Sequence, residues 1–234
     1  MNGALFGTLL AGGLAALDAT PVAQTLVSQP LVTATVLGLL WGDWPTALAV
    51  GIVLQILAAS TLPIGARTPE DYSVGGVAGA GVALLLASVA PFEHVRQAAS
   101  LIGVLVGMTA ASLYVPVLRW QRRLNEGLAR WCEASLRRGF ERSLTQAQWA
   151  AVALAFALGV AVCGAWLALA QAAVPLVERE SLRIAGVWNL LQPFWLGFGI
   201  AQLLNAFVQR RLERAGVFAA TLVAAWLVLV AGTP

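Results

Sequence analysis

The chain has 234 residues, of which 59% are apolar and only 11% charged, with a net charge of +3. A soluble domain carries about 25% charged residues, so this charge deficit and the mean hydropathy of +0.81 exclude a water-soluble fold and leave lipid as the solvent. A pI near 9.5 could suggest nucleic acid, but the basic residues are bunched between apolar blocks, and no nucleic-acid partner is expected.

Charged residues divide the sequence into uncharged blocks at 1–17, 19–42, 44–66, 72–92, 97–118, 143–177, 184–209 and 215–234. A spanning helix needs about 20 apolar residues. The expected fold is an all-α, polytopic integral membrane protein, with residues 1–234 forming a single membrane-embedded domain.

Residues 1–71 form the first region. Residues 1–17 are apolar and reach Asp18 without a positive n-region, which argues against a cleaved signal peptide. The remainder is broken by Pro21, Pro30, Pro45, Pro63 and Pro69. Proline removes a backbone donor and disturbs a helix, and irregular backbone is tolerated at membrane depth only under protein or water cover. These residues therefore read as short or re-entrant helices, an arrangement that marks binding sites in transporters. Interfacial loops between ordinary spans are the alternative.

Residues 72–118 read as ordinary spans, Tyr72–Phe92 and Gln97–Leu118. Residues 119–142 hold seven of the fourteen cations: Arg119, Arg122, Arg123, Arg130, Arg137, Arg138 and Arg142. Glu126, Arg130, Glu133, Arg137 and Glu141 share one helical face, opposite Leu124, Leu128, Trp131, Cys132, Leu136 and Phe140. This pattern predicts an amphipathic helix on the membrane or against a partner, and the positive-inside rule puts it in the cytoplasm. Residues 143–234 hold further spanning helices. Trp41, Trp44, Trp120, Trp131 and Trp149 lie near block ends, where an aromatic belt accounts for them.

No catalytic constellation is present. His94 sits in Pro-Phe-Glu-His at a helix end and reads as a loop residue. Cys132 and Cys163 have no metal spacing, and neither metal nor cofactor is expected. The functional pointers are polar residues in apolar surroundings: Asp18, Asp43, Gln55, Glu70, Asp71 and Asn205. Each has a structural alternative. Asp43 could cap the helix that holds Pro45 in its first turn; Asp18 could cap a segment beginning near Pro21; Gln55 could bond a neighbouring helix. Asp71, which ends a Gly/Pro-rich turn, is the strongest candidate.

Residues 17–79 carry a set of short motifs in order: Leu17-Asp18, Gln24 through Ser28-Gln29-Pro30-Leu31-Val32, Gly38-Leu-Leu-Trp-Gly-Asp43, Gly51-Ile-Val-Leu-Gln55, and Leu62-Pro-Ile-Gly-Ala66 with Pro69-Glu70-Asp71. This set resembles the IIC subunit of the mannose/fructose/sorbose family of bacterial phosphotransferase systems (PTS). The stretch Gly199 to Asn205 is similar more weakly. Family members show Glu where this chain has Gln55, Arg where it has Gln29, and Pro where it has Glu70.

The resemblance implies a fold of broken and re-entrant helices related by an inverted repeat. It implies a multi-pass protein of the bacterial inner membrane that pairs with a IID subunit, as a trimer of IIC–IID pairs. Such a subunit binds a hexose or amino sugar from outside and presents it to cytoplasmic IIA/IIB phosphocarriers. Phosphoryl transfer then resides on the IIB partner, so this chain is a transport subunit rather than an enzyme. The substrate-binding candidates that follow are Asp71, Gln55, Asp18, Gln24, Asp43, Gly65 and Asn205. The departures at Gln55 and Gln29 motivate an alternative, a non-transporting sensor or anchor derived from the IIC family.

Overall fold

The computed structural model describes residues 2–19, 25–60, 70–207, 213, 215–220, 223 and 226. Among them are helices α1 (Asn2–Ala19), α2 (Pro30–Trp41), α3 (Trp44–Ser60), α4 (Tyr72–Ala87), α5 (Glu93–Leu136) and α6 (Ser143–Phe207), and no strand. Two compact units divide the chain, Met1–Leu190 and Leu191–Pro234. The all-helical membrane architecture expected from composition is the one found: α5 and the Ser143–Trp195 part of α6 are each long and apolar enough to cross a bilayer.

The helix α2 is short because the sequence stops it at both ends. Pro30 opens α2 at a position where its missing N–H costs nothing. Gly42 closes α2 in the left-handed region at φ 75°, and its N–H returns to the carbonyl of Gly38. Twelve residues make α2 about 18 Å long, well short of the roughly 30 Å hydrocarbon core. It turns directly into α3, and the pair packs as a tight hairpin with Gly38 against Trp44 and Ala47, and Gly51 against Ala34.

The helix α4 is the centre of the first unit. Every residue from Val74 to Ala87 is buried, with α1, α2, α3 and α5 packed around it. The sequence expects an ordinary span here, and apolar composition fits lipid or protein surroundings equally well. Glycine decides the matter: Gly75 and Gly79 on α4 face Gly107 and Gly103 on α5, and a β-carbon at Gly79 would lie 2.5 Å from the Gly103 carbonyl oxygen. Two small-xxx-small stripes thus bring the α4 and α5 backbones together.

Where the sequence predicts a span at 97–118 followed by a separate amphipathic helix at 119–142, α5 is continuous from Glu93 to Leu136. Arg119–Leu136 is therefore an extension of the span, about 27 Å beyond Leu118. The chain then reverses around Gly139, at φ 86°. On this extension Cys132 is buried, while Leu124, Trp131 and Leu136 are exposed, as is Phe140 just past the reversal. Arg137 and Glu133 form an ion pair at 2.6 Å on the exposed face.

The helix α6 runs unbroken through the charged stretch Glu178–Arg183, where Arg183 pairs with Glu180 at 3.2 Å. In the second unit, Phe194, Phe198, Phe218 and Trp226 are exposed apolar side chains.

Two single residues complete the picture. Trp41, expected in an interfacial belt, packs on the core and donates from Nε1 to Thr8 Oγ1 at 3.0 Å. His94 stacks on Phe92 with ring centroids 5.4 Å apart.

Candidate functional site

Asp18 lies in the last turn of α1 and holds the turn that leads into α2. Its Oδ1 accepts from the Thr25 backbone N–H at 2.7 Å and from the Thr25 hydroxyl at 2.6 Å, and its Oδ2 accepts from the Ser28 N–H at 2.9 Å. Within this turn Leu26 adopts φ 65°, a left-handed conformation unfavourable for a side chain of this kind. Three hydrogen bonds to one carboxylate stabilise it. Asp18 thus ties the segment before α2 to the end of α1. It also lines a cavity of about 360 Å³ between α1 and α2, together with Thr25, Ser28, Thr33, Ala15 and Val36. That volume lies in the range of small-molecule pockets.

Gln55 acts on the same segment from α3. Its side-chain oxygen accepts from the Leu31 N–H at 3.3 Å. The first-turn amides of a helix have no partner within the helix, so Gln55 supplies one from a neighbouring helix. Pro30 in turn abuts α4, where a β-carbon at Gly76 would lie 2.9 Å from the proline ring. Asp18, Gln55 and α4 therefore meet around Ser28–Leu31, which carries the serine–proline motif.

Asp71 caps α4. Its Oδ1 accepts from Ser73 N–H at 2.9 Å and Val74 N–H at 3.3 Å. Its own N–H donates to the Ala111 carbonyl on α5 at 3.2 Å. A carboxylate at a helix N-terminus is favoured by the helix dipole, so the residue that ends the Gly/Pro-rich stretch of sequence starts the central helix.

Asp43 is separated from this group. It sits past the far end of α2, about 18 Å along the helix from Pro30. There it caps α3 through Thr46, with the hydroxyl at 2.8 Å, and pairs with Arg96 at 3.5 Å. The structural role open to it in the sequence, capping the helix that holds Pro45, is the one these contacts describe. Gln24, Gly65 and the side chain of Asn205 lie outside the described residues.

One polar side chain near Asp71 escaped the sequence reading. Tyr114 on α5 lies one turn beyond Ala111, and its hydroxyl is buried. A phenol within the uncharged block 97–118 was the available signal. Among the described residues no cluster of three or more metal-ligating side chains occurs.

The family model described as the PTS system sorbose-specific IIC component, EII-Sor, matches residues 5–212. The chain belongs to this IIC family. It is a membrane component of a sugar phosphotransferase system, working on sugar together with PTS partner proteins. A solved chain described as "Structure of membrane protein" is similar to this IIC component at 14% identity, covering 97% of this chain and 96% of the other with a TM-score of 0.50, which bears on the fold alone. No curated protein matches. In the first third of the IIC sequence, Asp18, Asp43, Gln55 and Asp71 each bond a residue of a neighbouring segment.

Proposed function

We propose that this IIC component binds a hexose or amino sugar beside Asp71 and the Ser28–Leu31 segment, and presents it to a cytoplasmic IIB phosphocarrier. In this reading it is paired in the bacterial inner membrane with a IID subunit, as trimers of the pair, and IIB carries out phosphoryl transfer.

The observation that carries the reading is the meeting of short-helix ends. Asp18 and Gln55 both bond the segment before and within the first turn of α2, and α4, which begins at Asp71, packs on Pro30. Carboxylates, amides and helix-end backbone beside apolar walls suit a neutral, hydroxyl-rich ligand. With Arg119–Arg142 on the cytoplasmic side, Asp71 attaches to α5 at Ala111, about 12 Å along the helix from Arg119. Arg96, which pairs with Asp43, is about 35 Å from the same arginine along the helix. The Asp71 end therefore lies toward the face from which a soluble phosphocarrier would approach.

Gln55 bears on the alternative of a non-transporting sensor. Its oxygen is engaged by the Leu31 N–H, a task an amide performs as a carboxylate would. The loss of charge at this position thus leaves the local architecture in place, which favours transport.

The test is sugar uptake in cells carrying this chain with its IID and IIA/IIB partners. Uptake of a hexose or amino sugar is expected, and Asp71→Asn abolishes it. Asparagine retains an acceptor for the Ser73 and Val74 amides, so the fold survives. Failure to take up any sugar overturns transport, and unchanged uptake in Asp71→Asn removes Asp71 from the site.

A further inference from the structure

Tyr114 is 1% exposed, and its hydroxyl has no hydrogen-bond partner among the described residues. Buried polar atoms are paired in the great majority of structures, and an unpaired one is costly. The ring fills space between helices, packing in one apolar cluster with Ala15 and Ala16 of α1, Ala34 and Leu37 of α2, and Cys163 of α6. A phenylalanine would fill that space equally well, so packing accounts for the ring and leaves the hydroxyl unexplained.

The position of the hydroxyl supplies an explanation. Tyr114 lies three residues beyond Ala111, hence on the same face of α5, and the Ala111 carbonyl receives the Asp71 N–H. Ala15, in the Tyr114 cluster, also lines the cavity that holds Asp18. An unpaired donor and acceptor therefore lies on the face of α5 to which Asp71 is attached, in a cluster that shares Ala15 with the Asp18 cavity.

We propose that the Tyr114 hydroxyl hydrogen-bonds a hydroxyl group of the sugar bound beside Asp71 and so helps select which sugar is accepted. The proposal rests on the transport reading above. A site built to bond a substrate hydroxyl discriminates against an analogue lacking it, because the protein group is then left unpaired in a buried site. Among the described residues that hydroxyl has no partner, and a sugar hydroxyl would supply one.

The test compares wild type, Tyr114→Phe and Asp71→Asn, each as the full chain co-expressed with its IID and IIA/IIB partners. Two readouts are used: thermal protection by a panel of hexoses, amino sugars and their monodeoxy analogues, and uptake kinetics. Tyr114→Phe is expected to melt no lower than wild type, because the deleted hydroxyl has no protein partner. Its KM is expected to rise about tenfold with little change in kcat. One monodeoxy analogue that wild type binds more weakly than the parent sugar should lose that deficit in Tyr114→Phe. A KM within twofold of wild type, with the parent-to-deoxy gap preserved and Asp71→Asn inactive, overturns the Tyr114 assignment and leaves transport standing. Absence of protection by any sugar in wild type overturns both.

Discussion

The side-chain oxygen of Gln55 on α3 accepts the Leu31 N–H of α2 at 3.3 Å, so one helix completes the first turn of another. Removing that acceptor with Gln55→Leu leaves a partly buried amide unpaired, at a cost of about 1–3 kcal/mol. Gln55→Glu keeps the acceptor and adds a negative charge at a helix N-terminus, worth about 0.3–1 kcal/mol. The melting temperature in detergent should therefore fall in the leucine variant and hold or rise in the glutamate variant. Equal melting of the two would show that the bond contributes nothing.

Asp18 offers a sharper loss. Asp18→Ala removes every acceptor for Thr25 and Ser28 and releases a turn in which Leu26 is held at positive φ. The expected destabilisation is about 2–3 kcal/mol, and limited proteolysis should cut the 25–28 segment faster than in wild type. Asp18→Asn retains one carboxamide oxygen and should lie between. An alanine variant as resistant as wild type would mean that the turn holds without the carboxylate.

Asp43 and Arg96 allow a contrast at the other end of α2. Their ion pair is partly solvated, with Arg96 43% exposed, and pairs of this kind contribute about 0–1 kcal/mol. Arg96→Ala should thus shift the melt slightly and leave sugar uptake near wild type. Asp43→Ala also loses the α3 cap, costing about 1 kcal/mol more. Uptake abolished by Arg96→Ala would move the functional site toward this end.

The close approach of α4 and α5 gives the largest expected packing effect. A β-carbon at Gly79 would lie 2.5 Å from a backbone carbonyl and 2.9 Å from the Gly107 α-carbon, atoms that cannot swing aside. Gly79→Leu should destabilise by about 3 kcal/mol or abolish folding, whereas Gly127→Ala, at an open position on the α5 extension, should be silent. Thermal unfolding of the two purified variants checks both statements.

Composition alone established lipid as the solvent, because 11% charged residues cannot cover a soluble fold, and the uncharged blocks of about 20 residues pointed to helices as the spanning element. Proline and glycine positions set the bounds of the short helix α2, since Pro30 can only begin it and Gly42 readily ends it. The polar residues there were legible as exceptions in an apolar background. Their grouping was not: Asp18, Gln55 and Asp43 look alike in the sequence, yet only the first two act on Ser28–Leu31, while Asp43 lies beyond the opposite end of α2. Only the tertiary structure decided that α4 is enclosed by protein rather than facing lipid, because both surroundings select the same apolar side chains and a hydropathy pattern cannot separate them. For the same reason Tyr114 passed as one more residue of an apolar block, until the fold buried its hydroxyl near Asp71.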